Sequence, residues 1–573
     1  MRASVDVGSL TELAGAVGVV GRGVEHDTAP LEAGVPVAAP ELALAVAARR
    51  DVLDRLRALR SVVALAAEGY AATEARVAQL VGTGLQTVLG AIDPAGLEAL
   101  LVAVPALAGA VVGDPTADPV ADALTRTLLL PPAAAARAQA QALALLGDRQ
   151  RRHLALAHPR LMTALAGAPT SDRVAACRVL VAADLAALLR QRNQRGADPS
   201  LDARIAVRQR LLDGQVVLRH PDGTTTRHPH QLLAFDPAGD GRVIEVLGDL
   251  SRARHLAVFV PGTGSDLSRL GATVGRMTPF AAADPALAVV VWQNADHPDQ
   301  PFDDPLPPAR PDALPAAVQR YVREGVLAAA YRESADVAGP VLAADVAGLR
   351  VALPAPAADL TVLGHSYGGS IVGSAEAHGM VVDRVVHVAS AGGYVGDVRD
   401  YADPATARFS MTAYDDPIRL SQGHDAADAS ARARAMLPAP LDPLGPVVAA
   451  AVVLVLPAAG SMGHGLDPDL LPGVVRLDTG VHPGGGLVRG HSDMFAPDST
   501  AWRNLLAVMT RGRVEVLQPQ LWSSHLDPLG AALTLPGGGV AGGTTVVPLP
   551  PRYVVDASPW SDPTYRPPTL DLR

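Results

Sequence analysis

Residues 359–379, DLTVLGHSYGGSIVGSAEAHG, decide the fold of this chain. The leucine and β-branched side chains of residues 360–363 predict a strand, and the small residues after Gly368 predict a helix. Ser366 lies at the turn between them. Such a turn strains the serine backbone, and glycines two residues before and after it leave the room it needs. The stretch therefore predicts a nucleophile elbow with Ser366 as the nucleophile, and the alternative is a glycine-rich packing turn.

The length and composition of the chain limit its number of domains, the make-up of its cores and its partners. A chain of 573 residues can bury more than one core, so two or three domains are expected. Hydrophobic residues make up 49% but aromatic residues only 3%, so the cores are built from Ala, Val and Leu. All 48 basic residues are arginine, none clusters with aromatics, and the net charge is −10. This composition argues against a nucleic-acid partner.

The sequence lacks the residue patterns expected for a disulfide, a metal site, a signal peptide or a transmembrane helix. The single cysteine, Cys177, excludes internal disulfides and sits in an apolar helical stretch, which predicts a buried and inert thiol. No histidine or carboxylate pair has convincing metal spacing, so neither a metal nor a cofactor is predicted. The N-terminus has no signal-peptide pattern, and the longest apolar run, residues 447–459, is too short to span a bilayer. The predicted location is cytoplasmic, with no transmembrane segment.

The first 214 residues predict helices. Between residues 41 and 82 apolar side chains recur in one narrow stripe, and prolines 30, 36 and 40 separate this helix from an earlier one. Residues 1–100 therefore predict a helical hairpin. Residues 101–214 are Ala/Leu-rich and predict further packing helices, among them 171–192 and 201–212.

Residues 1–100 resemble the helical hairpins exported by the ESX, or type VII, secretion system of actinobacteria. The segment Tyr70-Ala-Ala-Thr-Glu74 fits the Y-x-x-x-[D/E] pattern of that system, whereas its Trp-x-Gly turn between the helices is missing. The resemblance implies export by a type VII system, as the alternative to a cytoplasmic location, and a helical partner protein bound through residues 1–100. The other interpretation is a plain helical bundle.

The pattern changes to alternating strands and helices near residue 215. Residues 231–237 and 242–247 flank the turn-forming AGDG and predict a β-hairpin. Further strands are predicted at 256–260, 287–292, 360–363, 385–388, 408–413 and 474–478, and helices at 268–282, 313–332, 340–351, 368–379 and 499–511. A hairpin followed by six such strands predicts an α/β-hydrolase fold over residues 215–514, with a mostly parallel sheet covered by helices on both faces. Residues 515–573 are Pro/Gly-rich and predict an extended or partly disordered tail.

A serine nucleophile needs a base and an acid, and in this fold they follow the serine in the order acid, histidine. The strand SMTAY ends in Asp415-Asp416-Pro417, which predicts Asp416 as the acid with Asp415 as its competitor. Asp397 and Asp400, after the preceding strand, are less favoured. The loop after residues 474–478 holds His482 and His491, and His491 is predicted as the base because it precedes the last helix, whose predicted N-cap is Asp498.

The oxyanion hole needs two backbone N–H groups aimed at one point. Tyr367, which follows the nucleophile at a helix start, is predicted to supply one of them. The loop Val260-Pro-Gly-Thr-Gly264 is predicted to supply the other from Thr263. A phosphate cradle is the rival interpretation of this loop, but the loop lacks the G-K-[ST] ending that a P-loop requires.

Residues 421–472 form an insertion between the acid and the last strand. Its apolar stretch, residues 447–456, predicts a lid suited to an acyl chain, and the alternative is a helix packed on the domain. His424 and His464, at its two ends, are predicted to be loop histidines and not ligands.

Residues 230–512 resemble an actinobacterial α/β-hydrolase family of undefined substrate that is often linked to ESX-type helices. The resemblance lies in LLAFDPAGDGRVIEVLGD, VFVPGTGSDL, LGHSYGG, the Asp-Asp-Pro loop, GHGLDP and GHSDMF, in this order. It implies Ser366 as nucleophile, His491 as base and Asp416 as its acid partner.

These features predict a serine hydrolase that cleaves the carboxylic ester of a small molecule or lipid through an acyl-enzyme. A peptidase or amidase of the same fold is one alternative. A catalytically inert hydrolase domain in a binding protein associated with type VII secretion is the other.

Overall fold

The computed structural model describes residues 94–103, 108, 118–196, 198–299, 329, 331–352, 358–420, 422, 464–527, 533–536, 544–547 and 552–573. The predicted stripe at 41–82, most of the predicted helix at 313–332 and most of the insertion lie outside these residues. The described chain divides into two compact units. One comprises the described residues up to Gln215 together with Leu232–Phe235, and the other comprises Val216–Gln231 and the residues from Asp236 onward.

The described part of the first unit is helical up to Asp213. Its helices are α1 (Pro94–Ala103), α2 (Pro119–Thr127), α3 (Pro132–Ala144), α4 (Asp148–Ala157), α5 (Pro159–Ala164), α6 (Thr170–Arg195) and α7 (Pro199–Asp213). Asp118 and Asp198 begin α2 and α7, where each carboxylate accepts two backbone N–H groups of the first turn. Cys177 on α6 is fully buried, and burial raises the pKa of its thiol to about 12. The thiol is therefore protonated, as the apolar helix predicted.

The second unit contains most of an eight-stranded sheet. Its strands are β3 (Gln231–Asp236), β4 (Arg242–Leu247), β5 (His255–Val260), β6 (Leu287–Gln293), β7 (Asp359–His365), β8 (Arg384–Val388), β9 (Ala407–Met411) and β10 (Val475–Arg476), in the spatial order β10-β9-β8-β7-β5-β6-β4-β3. β4 pairs with β6 in antiparallel fashion, and every pairing from β6 through β5, β7, β8 and β9 to β10 is parallel. This order confirms the predicted α/β-hydrolase fold.

Burial explains why these residues form the centre of the sheet. β6 and β7 are buried along their whole lengths, as parallel strands covered on both faces must be. The α-helices among the described residues of this unit are α8 (Leu270–Ala283), α9 (Glu333–Ala352), α10 (Tyr367–Ala377) and α11 (Thr500–Thr510). Parallel pairing brings the carboxyl ends of β5, β7, β9 and β10 to one edge, which is where ligands bind in open α/β sheets.

Ser499, and not the predicted Asp498, is the N-cap of α11. The Ser499 hydroxyl accepts a hydrogen bond from the Trp502 backbone N–H at 3.1 Å. Asp498 instead takes up a left-handed backbone with φ 63° just before the cap. The one-residue error arose because Asp and Ser cap helices equally well.

The sequence analysis missed a small hairpin and the strands of the C-terminal segment. β1 (Gln215–Arg219) and β2 (Thr225–Pro229) pair as a separate two-stranded sheet. Beyond α11 lie β11 (Arg513–Glu515), β12 (Ser523–Asp527), β13 (Leu533–Pro536), β14 (Thr544–Val547), β15 (Arg552–Ala557) and β16 (Thr569–Asp571). β11 pairs with β16, β12 with β15 and β13 with β14, all antiparallel. The described part of the predicted tail is therefore extended and hydrogen-bonded.

Within the described ranges, no helix has the length and apolar character needed to cross a membrane. The same residues contain no group of three or more His, Cys, Asp and Glu side chains that could hold a metal ion.

Candidate active site

Ser366 occupies a strained turn between β7 and α10. Its backbone has φ 58° and ψ −126°, a left-handed conformation that side chains rarely adopt. A Cβ on Gly364 would lie 2.5 Å from the Gly368 carbonyl oxygen, and a Cβ on Gly368 would lie 2.2 Å from the Val260 carbonyl oxygen. Only glycine fits at both positions. The turn therefore has the geometry of a nucleophile elbow, packed against the end of β5.

The loop after β5 passes directly over the serine. A Cβ on Gly262 would lie 2.6 Å from Ser366 Cβ and 3.0 Å from its Oγ. The Ser265 hydroxyl donates to the Gly262 carbonyl at 2.7 Å and so ties the two ends of this turn together. Thr263 follows Gly262 and is half-buried. The predicted oxyanion residue therefore lies next in the chain to the glycine that approaches Ser366.

Tyr367 is the first residue of α10, so its backbone N–H has no acceptor within the helix. Its side chain points into the protein, where the hydroxyl donates to the Tyr331 carbonyl at 2.7 Å and accepts from the Ala335 N–H at 3.2 Å. Burial raises the pKa of this phenol, which stays protonated. Tyr367 can therefore offer its backbone N–H beside Ser366 while its side chain anchors the start of α9.

Asp416 and His491, the predicted acid and base, lie within hydrogen-bond distance of each other. His491 Nδ1 lies 3.0 Å from Asp416 Oδ1 and 3.2 Å from Oδ2. The Asp416 side chain is fully buried, and the Ile418 backbone N–H also donates to its Oδ1 at 2.9 Å. Because Nδ1 faces a carboxylate it carries the ring proton, and Nε2 is left as the basic nitrogen.

The competing carboxylate, Asp415, contacts the backbone of the histidine loop and not a histidine ring. Its Oδ1 accepts the Gly490 N–H at 2.8 Å, and its Oδ2 lies 3.7 Å from Arg489 Nη1. The two adjacent aspartates thus hold the same loop at two points. Asp415 fixes the chain just before His491, and Asp416 orients the ring.

The remaining candidates are engaged elsewhere. His482 Nε2 donates to Asp493 Oδ2 at 2.8 Å, within the histidine loop itself. Asp397 is paired with Arg399 after β8. His464 Nδ1 lies 2.9 Å from the hydroxyl of Ser370, one turn along α10 from Ser366. His424 lies outside the described residues.

His365, the residue before Ser366, was not assigned a role from the sequence. Its Nε2 donates to the His491 backbone carbonyl at 2.9 Å, and the two imidazole rings are 4.8 Å apart. Burial lowers the pKa of His365 to about 3, with a further lowering from His491. His365 is therefore a neutral donor that connects the elbow to the histidine loop. The only local signal for it was a polar residue at the end of an otherwise apolar strand.

The comparisons with known proteins agree with the fold. Residues 236–424 match the model of a family described as alpha/beta hydrolase. The matched segment includes the elbow, and with the strand order it supports a hydrolase of this fold.

The relatives are two uncharacterized proteins of Mycobacterium tuberculosis, MT2140 of strain CDC 1551 / Oshkosh and Rv2079 of strain ATCC 25618 / H37Rv. Each is 33% identical over 162 residues, which cover 26% of this chain and 21% of the relative. The match thus spans about a fifth of the length of either relative.

Proposed function

We propose that this chain is a serine hydrolase that cleaves carboxylic esters through an acyl-enzyme. Ser366 is the nucleophile, His491 the base and Asp416 the acid that orients the base. The backbone N–H groups of Thr263 and Tyr367 form the oxyanion hole. The observation that carries the proposal is the buried Asp416 carboxylate 3.0 Å from His491 Nδ1, in a loop tied to the strained elbow through His365.

Acylation follows from these assignments. The Ser366 hydroxyl oxygen attacks the ester carbonyl carbon while its proton passes to His491 Nε2. The imidazolium formed is stabilised by the Asp416 carboxylate at Nδ1, and the carbonyl oxygen becomes an oxyanion bound by the two N–H groups. Collapse of this intermediate breaks the bond to the alcohol oxygen, which leaves with the proton from His491.

Deacylation uses the same groups with water as the nucleophile. His491 Nε2 takes a proton from the water, whose oxygen attacks the acyl carbon of the Ser366 ester. The second tetrahedral intermediate expels Ser366 Oγ, which regains its proton from His491. The products are a carboxylic acid, an alcohol and the regenerated enzyme.

A fluorophosphonate probe tests this proposal, because it reacts only with an activated serine. The wild-type protein should be labelled, and Ser366→Ala should not. Ser370→Ala is a matched control. Ser370 is a buried serine, it lies one turn further along α10, and its hydroxyl contacts His464. Failure to label folded wild-type protein, or labelling that survives in Ser366→Ala, would contradict the proposal.

The substrate class is tested with nitrophenyl esters of increasing acyl length and with the matching anilides. An esterase should turn over the esters and leave the anilides almost untouched. The lid proposed in residues 421–472 predicts that longer acyl chains are preferred over acetate. Comparable turnover of the anilides would instead support a peptidase or amidase.

Export by a type VII system and a helical partner bound through residues 1–100 are separate proposals that rest on the Tyr70–Glu74 pattern. Fractionation of cells with an active type VII system tests export. Protein found only in the lysate would contradict it and support a cytoplasmic location.

A further inference from the structure

Tyr414, the residue just before the two aspartates, is held by an aromatic stack. Its ring lies against the indole of Trp522, with centroids 4.8 Å apart and planes inclined by 11°. The Arg419 guanidinium carbon lies 5.2 Å from the centre of the same tyrosine ring. Such stacked and cation–π contacts stabilise an aromatic ring beyond its simple burial.

Hydrogen bonds close the same turn, residues 412–419, which we call the acid turn. The Tyr414 hydroxyl donates to the Pro519 carbonyl at 3.1 Å. Arg419 spans the turn from within, because its Nε donates to the Ala413 carbonyl at 2.9 Å and its Nη2 to the Thr412 carbonyl at 3.0 Å. Asp416 lies between these two anchored ends.

Trp522 and Pro519 belong to the segment that follows the last helix of the hydrolase fold. This segment runs beside β10, where the Leu517 N–H donates to the Arg476 carbonyl and the Asp478 N–H donates to the Glu515 carbonyl, both at 2.9 Å. The chain then turns through Pro519–Leu521 and brings Trp522 onto Tyr414. Tyr414 and Trp522 are 108 positions apart in the sequence, so no local sequence pattern predicts their contact.

The Trp522 indole contacts Tyr414 through its ring face, and its N–H makes no hydrogen bond to a described residue. Trp522 is 7% exposed, and its Nε1 is buried without a hydrogen-bond partner among the described residues. A side chain used for a hydrogen bond would not leave its donor unsatisfied. A phenyl ring could therefore replace the indole with little loss.

We propose that Trp522 is a positioning residue for the catalytic acid, so that the C-terminal segment is part of the working active site. By stacking on Tyr414 it holds the acid turn where Asp416 meets His491. The inference rests on the proposed function, and neither the elbow nor the triad predicts it.

The expected size of the effect follows from the role of the acid. Complete loss of a triad carboxylate lowers turnover by about 10⁴-fold, and a displacement of about 1 Å by about 100-fold. Trp522→Ala leaves Asp416 in place but frees the acid turn, so we expect kcat to fall about 10- to 100-fold with KM within about twofold. Trp522→Phe keeps the stack and should stay within about threefold of wild type.

A double-mutant cycle separates positioning from general destabilisation. Turnover of a nitrophenyl ester and the rate of fluorophosphonate labelling are measured for Trp522→Ala in the wild-type and in the Asp416→Asn background. If Trp522 acts through Asp416, the substitution should have no further effect once the carboxylate is gone. An equal loss in both backgrounds, or no loss in either, would overturn the proposal. Trp522→Leu, which keeps apolar bulk without a ring, is measured in the same way should Trp522→Ala fail to fold.

Trp502 provides a matched control. It is also 7% exposed, its indole N–H is also buried without a partner among the described residues, and it stacks on Phe280 at 5.0 Å. Trp502→Ala should lower the unfolding temperature at least as much as Trp522→Ala, yet leave kcat of the folded enzyme within about threefold. A loss of kcat in Trp502→Ala as large as in Trp522→Ala would count against the proposal. Absence of labelling in the wild type would contradict the function itself, whereas normal labelling with an unchanged Trp522→Ala would contradict only the positioning role.

Discussion

At the residue scale, both histidines of the loop after β10 pair with a carboxylate, and the two pairs look alike in isolation. His491–Asp416 and His482–Asp493 have contacts of 3.0 and 2.8 Å, so distance does not separate them. The surroundings of the two pairs do separate them. The Asp493 side chain is 34% exposed and also accepts the Arg489 N–H, whereas Asp416 is fully buried and reaches across the sheet edge from the loop after β9. The His482–Asp493 pair stabilises its own loop, and the His491–Asp416 pair connects two loops at the elbow.

This difference predicts that the two histidines are not equivalent in catalysis. His491→Ala should reduce kcat/KM by about a thousandfold or more, because Ser366 loses its base. His482→Ala should reduce it by less than about tenfold, since only the shape of the loop is affected. Steady-state hydrolysis of a nitrophenyl ester by both variants measures the contrast. A larger loss in His482→Ala would reverse the assignment of the base.

His387 on β8 makes stability depend on pH. The side chain is 1% exposed, and both ring nitrogens lack hydrogen-bond partners among the described residues. Burial lowers the pKa of His387 from 6.5 to about 4, with Arg408 adding to the effect. The unfolded chain therefore binds a proton more readily than the folded one. Stability from this group is complete above pH 6.5 and is lost as the pH falls towards 4.

Replacing His387 by leucine should remove that dependence. At pH 5 the gain is on the order of 2 kcal/mol relative to pH 8, where the histidine is neutral in both states. Any change in packing is the same at both pH values and cancels in the comparison. Thermal unfolding of wild type and His387→Leu at pH 5 and pH 8 gives the difference directly. Equal shifts at the two pH values would show that the buried ring does not titrate as inferred.

At the scale of elements, the loop after β5 shows how tightly the elbow is enclosed. Gly262 approaches Ser366 so closely that any side chain would displace the nucleophile, whereas a Cβ on Gly275, in α8, would meet nothing within 4 Å. Gly262→Ala should therefore lower kcat/KM by about 100-fold or more, by shifting Ser366 relative to the oxyanion donors.

Gly275→Ala is the control for that substitution. It should leave activity within about twofold and raise the free energy of unfolding by about 0.5–1 kcal/mol, because alanine favours a helix interior. Esterase assays and chemical denaturation of the two variants measure both effects. Full activity in Gly262→Ala would mean that the loop can move away from the serine.

The elements that the sequence predicts well are those whose burial leaves a continuous apolar run. β6 was predicted at 287–292 and spans Leu287–Gln293, since both faces of the strand are covered. β2, with the sequence TTRHP, is almost wholly exposed and shows no such pattern, so it was missed. The acid turn illustrates a different limit. Asp415 and Asp416 are chemically identical neighbours, and only the path of the chain decides which carboxylate faces a histidine.

At the scale of the whole chain, the C-terminal segment departs most from what its sequence predicts. Its Pro/Gly-rich sequence predicts a tail, yet β16 pairs with β11 and the Val516 N–H donates to the Pro568 carbonyl at 2.8 Å. The Trp560 indole N–H donates to Asp478 Oδ2 at 3.1 Å. Asp478 is fully buried at the end of β10, and burial raises the pKa of its carboxyl from 3.8 to about 6. The ionised form is thus disfavoured in the folded protein, and the hydrogen bond from Trp560 offsets part of that cost.

Deleting residues 558–573 tests whether this segment is structural. The deletion removes β16 and Trp560 but leaves Trp522 on Tyr414, so the unfolding temperature should fall by about 5 °C or more while the folded enzyme keeps its turnover. The fall should be larger at pH 8 than at pH 5. Without Trp560 the pKa of Asp478 rises further, which penalises the ionised carboxylate at pH 8 but changes little at pH 5, where the group is already protonated.

Trp560→Phe separates the two contributions of that segment, because it removes only the indole N–H and keeps β16. It should reproduce the difference between pH 8 and pH 5 without the pH-independent part of the loss. A deletion variant that unfolds at the wild-type temperature would support the disordered tail predicted from composition. A deletion variant that is less stable but fully active would instead show that the two parts of the segment have different roles. Its end would then hold the sheet edge together, and its beginning, at Trp522, would serve the catalytic acid.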